Sequence, residues 1–190
     1  MLLPQTTDRV GWVQALHRVR SRLIGDRTAV INQVRGFLLE HGIPVRQGPR
    51  FLRQQLPQLL ATRTDVLSPR MLRIIGDIVD DWKYLDDRIE RITDEIEALA
   101  RTDANCGQLM TVPGIGPIIA SAMVAAIGNG AAFAKGRDFA AWLGLVPKQM
   151  STGDRTILGR ITKRGNRYLR MLFVQGARAI LLRAKSWAKA

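Results

Sequence analysis

The chain has little cysteine, histidine or aromatic content. Cys106 is the single cysteine among 190 residues, so no disulfide can form within the chain, and two histidines are too few to build a Cys/His metal cluster. The longest apolar run, Pro117 to Ile127, is too short to span a bilayer. The first residues lack the charged and apolar regions of a signal peptide. These absences predict a cytoplasmic protein without a structural metal.

Basic residues are in excess and unevenly placed. The formal net charge is +13, and residues 135–190 hold thirteen Lys and Arg against two Asp and Glu. Residues 1–64 hold ten against three, whereas residues 65–134 hold six against eleven. Such basic surfaces attract polyanions. The C-terminal third is therefore predicted to face nucleic acid, with a weaker contribution from the N-terminal helix.

Heptad spacing predicts two long helices within residues 1–108. The first runs from Thr7 to His41. Its apolar line consists of Leu16, Leu23, Val30 and Phe37, and the adjacent face is filled by Val13, Val34 and Leu38. A loop with a brief helix near Phe51–Ala61 follows. The second helix begins after a Ser68 cap and carries two apolar lines: Ile75, Trp82, Ile89 and Ile96, and Ile78, Leu85, Ile92 and Leu99. This coiled-coil seam is predicted to pack antiparallel on the first helix, and pairing with a second subunit would bury it equally well.

Residues 109–190 are predicted to form a compact helical domain. Its short helices are expected at Ile118–Ile127, Gly136–Leu143 and Asn166–Lys185, with Phe139 and Trp142 as core. No alternating run is long enough for a sheet, although Arg155–Ile161 suits a small hairpin. The predicted fold class is mainly all-α: long antiparallel coiled-coil helices over residues 1–108, then a compact helical domain with a helix-hairpin-helix-like turn.

That turn is the sequence from Val112 to Pro117. Gly114, Ile115 and Gly116 would direct backbone N–H groups at a DNA phosphate, aided by the positive end of the following helix. A tight turn between two packed helices would use the same residues. His17 and His41 stand alone in the sequence and are predicted to lie on a helix surface or at a helix end.

Ser151 and Thr152 form a hydroxyl pair beside Gly153 in the basic third. A serine hydroxyl attacks phosphorus only with the help of a base, a metal or a cluster of cations. Nearby cations include Arg155 and Arg160. Ser and Thr are also ordinary turn and capping residues, and residue chemistry alone favours that interpretation.

A loop leading into a helix follows, with Asn166 as a plausible N-cap and with Arg167 and Arg170 on one helix face. Tyr168 could stack on a base or pack inward. The buried stripe of that helix is predicted to be Leu169, Leu172, Phe173, Gly176 and Ile180. The predicted DNA contacts are Gly114, Ile115, Gly116, Arg155, Arg160, Lys163, Arg164, Asn166, Arg167 and Arg170.

At these residues the chain resembles the IS110-type transposases, the bridge-RNA-guided DEDD recombinases related to Piv-type invertases. The resemblance covers nearly the whole chain and rests on segments at Leu16–Leu39, Pro113–Pro117, Phe139–Pro147 and Gly159–Arg170. It implies a fuller protein with an N-terminal RuvC-like domain, a coiled coil and a C-terminal transposase domain. In that family the first domain carries an acidic tetrad that binds magnesium, and the last carries a serine nucleophile.

The resemblance makes Ser151 the candidate nucleophile, with Thr152 as a competing register because the family places serine directly before glycine. Since no acidic tetrad is evident in this sequence, the chain is expected to bind DNA without cleaving strands alone, to hold no metal itself, and to depend on magnesium in the N-terminal domain. DNA, a guide RNA and a second copy of the chain are the implied partners, in a nucleoid-associated setting. Two alternatives remain: a non-catalytic DNA-binding module and a coiled-coil interaction protein.

Overall fold

The structure is a computed structural model that describes residues 5–153 and 155–187. These residues form seven α-helices and one antiparallel sheet of two strands. The elements are α1 (Gln5–Glu40), α2 (Pro49–Thr62), α3 (Pro69–Thr102), α4 (Ala104–Met110), α5 (Pro117–Ile127), α6 (Gly136–Trp142), β1 (Pro147–Thr152), β2 (Arg155–Ile161) and α7 (Arg167–Trp187). The predicted, mainly α-helical fold class is confirmed.

Packing divides the chain into two compact units. One consists of Arg18–Thr93, and the other of Met1–His17 together with Asp94–Ala190. Helices α1 and α3 contribute residues to both units. That residues 109–190 form a separate domain stays a prediction.

Helices α1 and α3 run antiparallel within the Arg18–Thr93 unit. Arg20 Nε donates to Thr93 Oγ1 at 2.8 Å. Seven residues later on α1, Arg27 Nη1 donates to Asp86 Oδ1 at 3.2 Å. The contact on α3 moves toward the N-terminus of that helix as the contact on α1 moves toward the C-terminus, so the two helices are antiparallel. The basic face of α1 therefore meets the acidic face of α3 within one chain.

The core of this unit combines three helices. Ile31, Val34 and Leu38 of α1 pack with Leu52 and Leu56 of α2 and with Ile75 and Trp82 of α3. The predicted line from Ile75 to Ile96 is buried throughout, whereas the line from Ile78 to Leu99 is half-buried. On α1 the predicted adjacent-face residues Val34 and Leu38 are buried, whereas Val30 and Phe37 of the predicted line are half-buried. Ile31, which is in neither predicted set, is also buried, because α1 contacts α2 as well as α3 and needs a wider stripe than a two-helix seam.

Local capping explains where several helices begin. Ser68 Oγ accepts from the N–H of Met71 at 3.3 Å, as predicted for the start of α3. Asp103 Oδ1 accepts from the N–H of Cys106 at 3.1 Å and so starts α4 as a separate helix. The brief helix expected near residues 51–61 is α2, which starts earlier because Pro49 occupies its first turn.

The other unit holds two small cores. Ala100, Cys106 and Ala120 form one, where α4 packs against α5. Ala122, Leu143 and Leu169 form the other, which joins α5 to α7. Leu169 is buried and the other four residues of the predicted α7 stripe are half-buried, so that stripe is confirmed.

Trp142 departs from its predicted place in the core. Its side chain is 38% exposed, whereas Leu143, just beyond α6, is 1% exposed. The Trp142 ring stacks on Phe139 with centroids 6.0 Å apart and meets Phe133 edge-on at 5.7 Å. Leu143, the C-cap of α6, thus enters the core, whereas Trp142, the last residue of the helix, lies at its edge against Phe139 and Phe133.

Candidate nucleic-acid interface

Strands β1 and β2 form an exposed ribbon. They pair antiparallel with Ser151 opposite Thr156 and Thr152 opposite Arg155, and the register shifts between Pro147 and Gln149. Every described residue of the ribbon is exposed except Ile161, which is half-buried. The prediction that Arg155–Ile161 forms a small hairpin by itself is wrong. This segment is the single strand β2, and the hairpin is completed by β1, which begins at Pro147.

The two hydroxyls at the ribbon tip face opposite ways. Residues directly opposite each other in a ladder share a face, and successive residues alternate. Ser151 consequently shares a face with Thr156, and Thr152 shares the other face with Arg155. Ser151 Oγ accepts a hydrogen bond from Gln149 Nε2 at 2.9 Å. The register thus brings the predicted cation Arg155 to Thr152 and not to Ser151.

Two glycines fix the base of the ribbon. The N–H of Thr162 donates to Val146 O at 2.9 Å and that of Lys163 to Gly144 O at 3.0 Å, which continues the pairing beyond the strands. Gly144 has φ +71, and a Cβ there would lie 1.9 Å from Arg164 O. Gly165 has φ +94, and a Cβ there would lie 1.8 Å from Trp142 O. Only glycine permits this backbone crossing between the end of α6 and the start of α7.

Two arginines at the start of α7 that are predicted to contact DNA have different surroundings. Asn166 Oδ1 accepts from the N–H of Leu169 at 3.1 Å, which is the N-cap expected from the sequence. Arg170 Nη1 donates to Leu143 O at 2.8 Å and to Arg164 O at 3.3 Å, so Arg170 ties the end of α6 to the loop before α7. Arg167 is exposed instead.

The remaining predicted cations project into solvent. Arg155, Arg160, Lys163, Arg164 and Arg167 are exposed, as is Lys148 on β1. Among the residues that the structure describes, none of them has an ion-pair partner within 4.0 Å. Lys163 adopts φ +57, an uncommon conformation for a residue with a side chain. The ribbon and the start of α7 therefore form one cationic surface.

The turn between α4 and α5 packs against α7. Gly114 has φ +86, and a Cβ there would lie 2.9 Å from Ile180 and 3.0 Å from Gly176 O. The Ile115 side chain packs on the core of Ala100, Cys106 and Ala120. A Cβ at Gly116, by contrast, would meet nothing within 4 Å, and Gly116 is the N-cap of α5. Gly114 and Ile115, two of the three residues predicted to contact DNA at this turn, thus pack against other parts of the protein.

A buried polar chain in this unit was not expected from the sequence. His17 is 4% exposed, which corrects its predicted place on the helix surface or at a helix end. Its Nδ1 lies 3.1 Å from Tyr168 Oη and its Nε2 lies 3.1 Å from Ser121 Oγ. Ser121 Oγ donates to Pro117 O at 2.7 Å. A lone histidine four residues after Val13, and so on the same helix face as that apolar residue, is the sequence signal that could have indicated burial.

These contacts place the His17 imidazole between two hydroxyl groups. The Ser121 hydroxyl donates to the Pro117 carbonyl, so Ser121 Oγ can accept from Nε2–H of His17. The other ring nitrogen, Nδ1, bonds the Tyr168 hydroxyl, and the tautomer of the imidazole decides which of the two is the donor. Of the two alternatives left open for Tyr168, inward packing is the one observed. The contact with His17 holds Tyr168, the residue between Arg167 and Leu169, in this inward position.

Metal and membrane signatures are lacking in the described part of the chain. Within residues 5–153 and 155–187, no three His, Cys, Asp or Glu side chains lie together as they would to hold a metal ion. No helix among these residues is both long and apolar enough to cross a membrane. Acid residues concentrate instead on α3, where Asp86 pairs with arginines.

Comparison with known proteins gives a consistent result. Residues 106–190 match the model of the transposase IS116/IS110/IS902 family. A probable family 20 transposase of Pseudomonas aeruginosa is 46% identical over 170 residues, which are 89% of this chain and 50% of that protein. The transposase for insertion sequence element IS1111A of Coxiella burnetii is 37% identical over 174 residues, 92% of this chain and 48% of that protein.

A third relative extends the match. The transposase for insertion sequence element IS1328 of Yersinia enterocolitica is 38% identical over 182 residues, 95% of this chain and 53% of that protein. The chain spans about half the length of the curated relatives it matches. Because these matches cover 89–95% of this chain, the similarity includes the long helices α1 and α3 as well as the ribbon and α7. The chain belongs to the IS116/IS110/IS902 family of transposases.

Proposed function

We propose that this chain supplies the DNA-binding part of a transposase and contributes Ser151 as the nucleophile in strand exchange. The observation that carries the proposal is the position of Ser151 near the tip of an exposed ribbon that forms, with the start of α7, one cationic surface. A nucleophile for a DNA phosphate must stand clear of the protein core so that the duplex can approach it. The serine and the cations are both accessible in this way.

The cationic surface supports binding to a duplex backbone. Its six exposed cations are Lys148, Arg155, Arg160, Lys163, Arg164 and Arg167. Since none is neutralised by an ion pair with a described residue, each can release a counterion from a phosphate. Contacts of this kind position DNA without reading its sequence.

The proposed chemistry is phosphoryl transfer to serine. Ser151 Oγ attacks a backbone phosphorus, a P–Oγ bond forms, and one bridging P–O bond of the strand breaks. The serine proton passes to a base and the departing sugar oxygen takes up a proton, so no oxidant or reductant is needed. Serine is preferred to Thr152 because the β-branch of threonine hinders its hydroxyl.

The described hydrogen-bond partner of Ser151 cannot act as the base, so the proposed base is supplied from elsewhere. Gln149 is the hydrogen-bond partner of Ser151 Oγ, and an amide N–H donor cannot take up a proton. The described residues offer no carboxylate cluster for magnesium either. This supports a composite site in which a separate acidic domain supplies the base and the metal, and in which the chain alone binds DNA without cleaving it.

Further partners belong to the same proposal. The half-buried line of Ile78, Leu85 and Ile92 on α3 leaves apolar surface that a second copy of the chain would cover. A guide RNA would be drawn to the same cationic surface as DNA. The proposed setting is the nucleoid.

Trapping of a covalent intermediate tests the nucleophile. The chain would be supplied with the acidic domain of a full-length relative and incubated with a nicked DNA substrate that prevents religation. Ser151→Ala is expected to abolish the protein–DNA adduct while DNA affinity is retained, and Thr152→Ala serves as the matched control that keeps it. Normal adduct yield from Ser151→Ala would refute the assignment.

A non-catalytic DNA-binding module is the second candidate. The strand register of the ribbon favours this second candidate, because Arg155 shares a face with Thr152. Ser151 has the neutral amide of Gln149 beside it instead. In that case Ser151→Ala and Thr152→Ala would both leave strand exchange unchanged. A salt titration separates both candidates from a coiled-coil interaction protein, since six phosphate contacts predict a log–log slope of about −5. Affinity that is independent of salt would favour the interaction protein.

A further inference from the structure

A second cationic site lies in the Arg18–Thr93 unit, where α2 begins. A cavity of about 360 Å³ is lined there by Arg27 of α1, by Arg50, Arg53 and Gln54 of α2, and by Trp82 and Asp86 of α3. Three arginines face one carboxylate. The other acidic residues of this face of α3, Asp80, Asp87 and Glu90, line a neighbouring cavity instead. The cavity at the start of α2 therefore has a net positive lining.

Two buried N–H donors of this lining have no hydrogen-bond acceptor. Trp82 is 3% exposed, and its Nε1–H has no partner in the structure. Nε–H of Arg27 is likewise buried and unpartnered, although Nη1 of the same guanidinium bonds to Asp86 at 3.2 Å. Buried polar groups without partners are uncommon in folded proteins and call for an explanation. Both donors would be satisfied by an oxyanion.

The start of α2 adds positive potential to the same cavity. Gly48 is the N-cap, with φ +109 and no side chain to accept from the first N–H groups. Pro49 begins the helix, and its first turn contains no acidic residue. Helix N-termini attract anions through these free N–H groups and the aligned peptide dipoles. The helix terminus and the two unpartnered donors thus point independently to the same kind of ligand.

Two arginines of α2 border the donors. The Arg53 guanidinium lies 5.1 Å from the centroid of the Trp82 ring and also pairs with Asp86. Arg50 is exposed and has no ion pair with any described residue. Arg50 is therefore the lining cation that an anion can engage without breaking an existing ion pair.

We propose that this cavity binds a phosphate group of a nucleic-acid strand, held by Arg27, Arg50 and the indole N–H of Trp82. The oxyanion would accept from the two unpartnered N–H groups and from the first turn of α2, while Asp86 keeps the Arg27 guanidinium oriented. The site is separate from the ribbon and does not depend on Ser151 being a nucleophile. It gives the N-terminal basic region a defined phosphate contact in place of a diffuse one.

The indole N–H itself provides the measurement. The chain contains four tryptophans, so a ¹⁵N–¹H spectrum of the full chain shows four indole signals. Trp82→Phe identifies the Trp82 signal, and if that variant does not fold, substituting the other three tryptophans in turn identifies it by elimination. Two titrations follow at constant ionic strength: inorganic phosphate, and a short single-stranded oligonucleotide.

The expected result is a saturable shift of the Trp82 signal with both probes, at lower concentration for the oligonucleotide. Arg50→Gln should weaken this response about tenfold, because it removes one charged donor. Arg22→Gln is the matched control, since Arg22 lies on α1 with its side chain 62% exposed and pairs with Asp26. A Trp82 signal that stays unmoved, or equal weakening in both variants, would overturn the site. A response to phosphate without one to the oligonucleotide would overturn the nucleic-acid strand as its source.

Discussion

Tyr168 Oη lies 3.1 Å from Nδ1 of His17, although 151 positions separate the two residues in the chain. The contact joins the first turns of α7 to α1, and Ser121 of α5 completes it on the other side of the imidazole. Tyr168 directly follows the exposed cation Arg167 in the chain. The polar network thereby ties the start of α7 to α1 and α5.

Replacement of His17 should destabilise the fold. His17→Phe removes the hydrogen bonds of a buried imidazole to Tyr168 Oη and Ser121 Oγ, and the expected loss in the free energy of unfolding is about 1–3 kcal/mol. His41→Phe is the control, because His41 is half-buried and its Nδ1 lies 2.9 Å from the Phe37 carbonyl oxygen, four residues earlier in the chain. Its expected change is within about 0.5 kcal/mol. Urea unfolding of both variants measures the difference, and equal losses would contradict the role given to His17.

Glycine substitutions should differ in effect according to their surroundings. Gly165→Ala places a Cβ 1.8 Å from Trp142 O, so it should prevent the native crossing and lower the melting temperature strongly. Gly153→Ala meets no atom within 4 Å but keeps φ +58, and should cost about 1 kcal/mol. Gly107→Ala lies in α4 with open space around it and should stabilise by up to about 1 kcal/mol.

Thermal melting of the three glycine variants gives the test. The expected order of melting temperature is Gly107→Ala above the parent chain, then Gly153→Ala, then Gly165→Ala. A Gly165→Ala variant that melts with the parent would mean that the backbone crossing is not formed in solution.

Arg167 and Arg170 should separate DNA binding from stability. Arg167→Gln removes an exposed cation, so it should reduce DNA affinity and lower the salt slope by about 1 without altering the melting temperature. Arg170→Gln removes the donor to the carbonyls of Leu143 and Arg164, and should lower the melting temperature. Fluorescence anisotropy at several salt concentrations, together with thermal melting, distinguishes the two. The reverse pattern would mean that Arg170 is the phosphate contact.

Asp86 should matter more to stability than its neighbours on α3. Its side chain is 24% exposed and pairs with both Arg27 and Arg53, whereas the Asp80 side chain is 74% exposed. Asp86→Asn should lower the free energy of unfolding by about 1 kcal/mol once solvent screening is allowed for, and Asp80→Asn should leave it nearly unchanged. Chemical denaturation measures both values. Similar values would mean that Asp86 is no more than a surface charge.

Local sequence patterns predicted much of this fold. The heptad line from Ile75 to Ile96, the Ser68 and Asn166 caps and the stripe on α7 depend on residues within a few turns of each other. The burial of Ile31 could not be read in the same way, because it depends on α2 packing against α1. The exposure of Trp142 likewise depends on how α6 packs in the fold, which its sequence does not show.

The candidate site was harder to predict because its geometry depends on register. The sequence places Ser151, Thr152 and Arg155 together, but which hydroxyl shares a face with the cation depends on which residues pair across the ribbon. The structural use of Arg170 depends on a carbonyl 27 positions away. The link from His17 to Tyr168 spans most of the chain, and neither end carries a local signal for the other.

The crossing of Gly144 and Gly165 has a mechanical consequence for the ribbon. Where two backbones touch without side chains between them, there is no soft layer to compress, so the ribbon base and the start of α7 would move as one body. Bending would be confined to the stretch beyond Val146 and Thr162. A duplex that pulls on the ribbon tip would therefore apply torque to α7, and Arg167 would turn with the strand that carries Ser151.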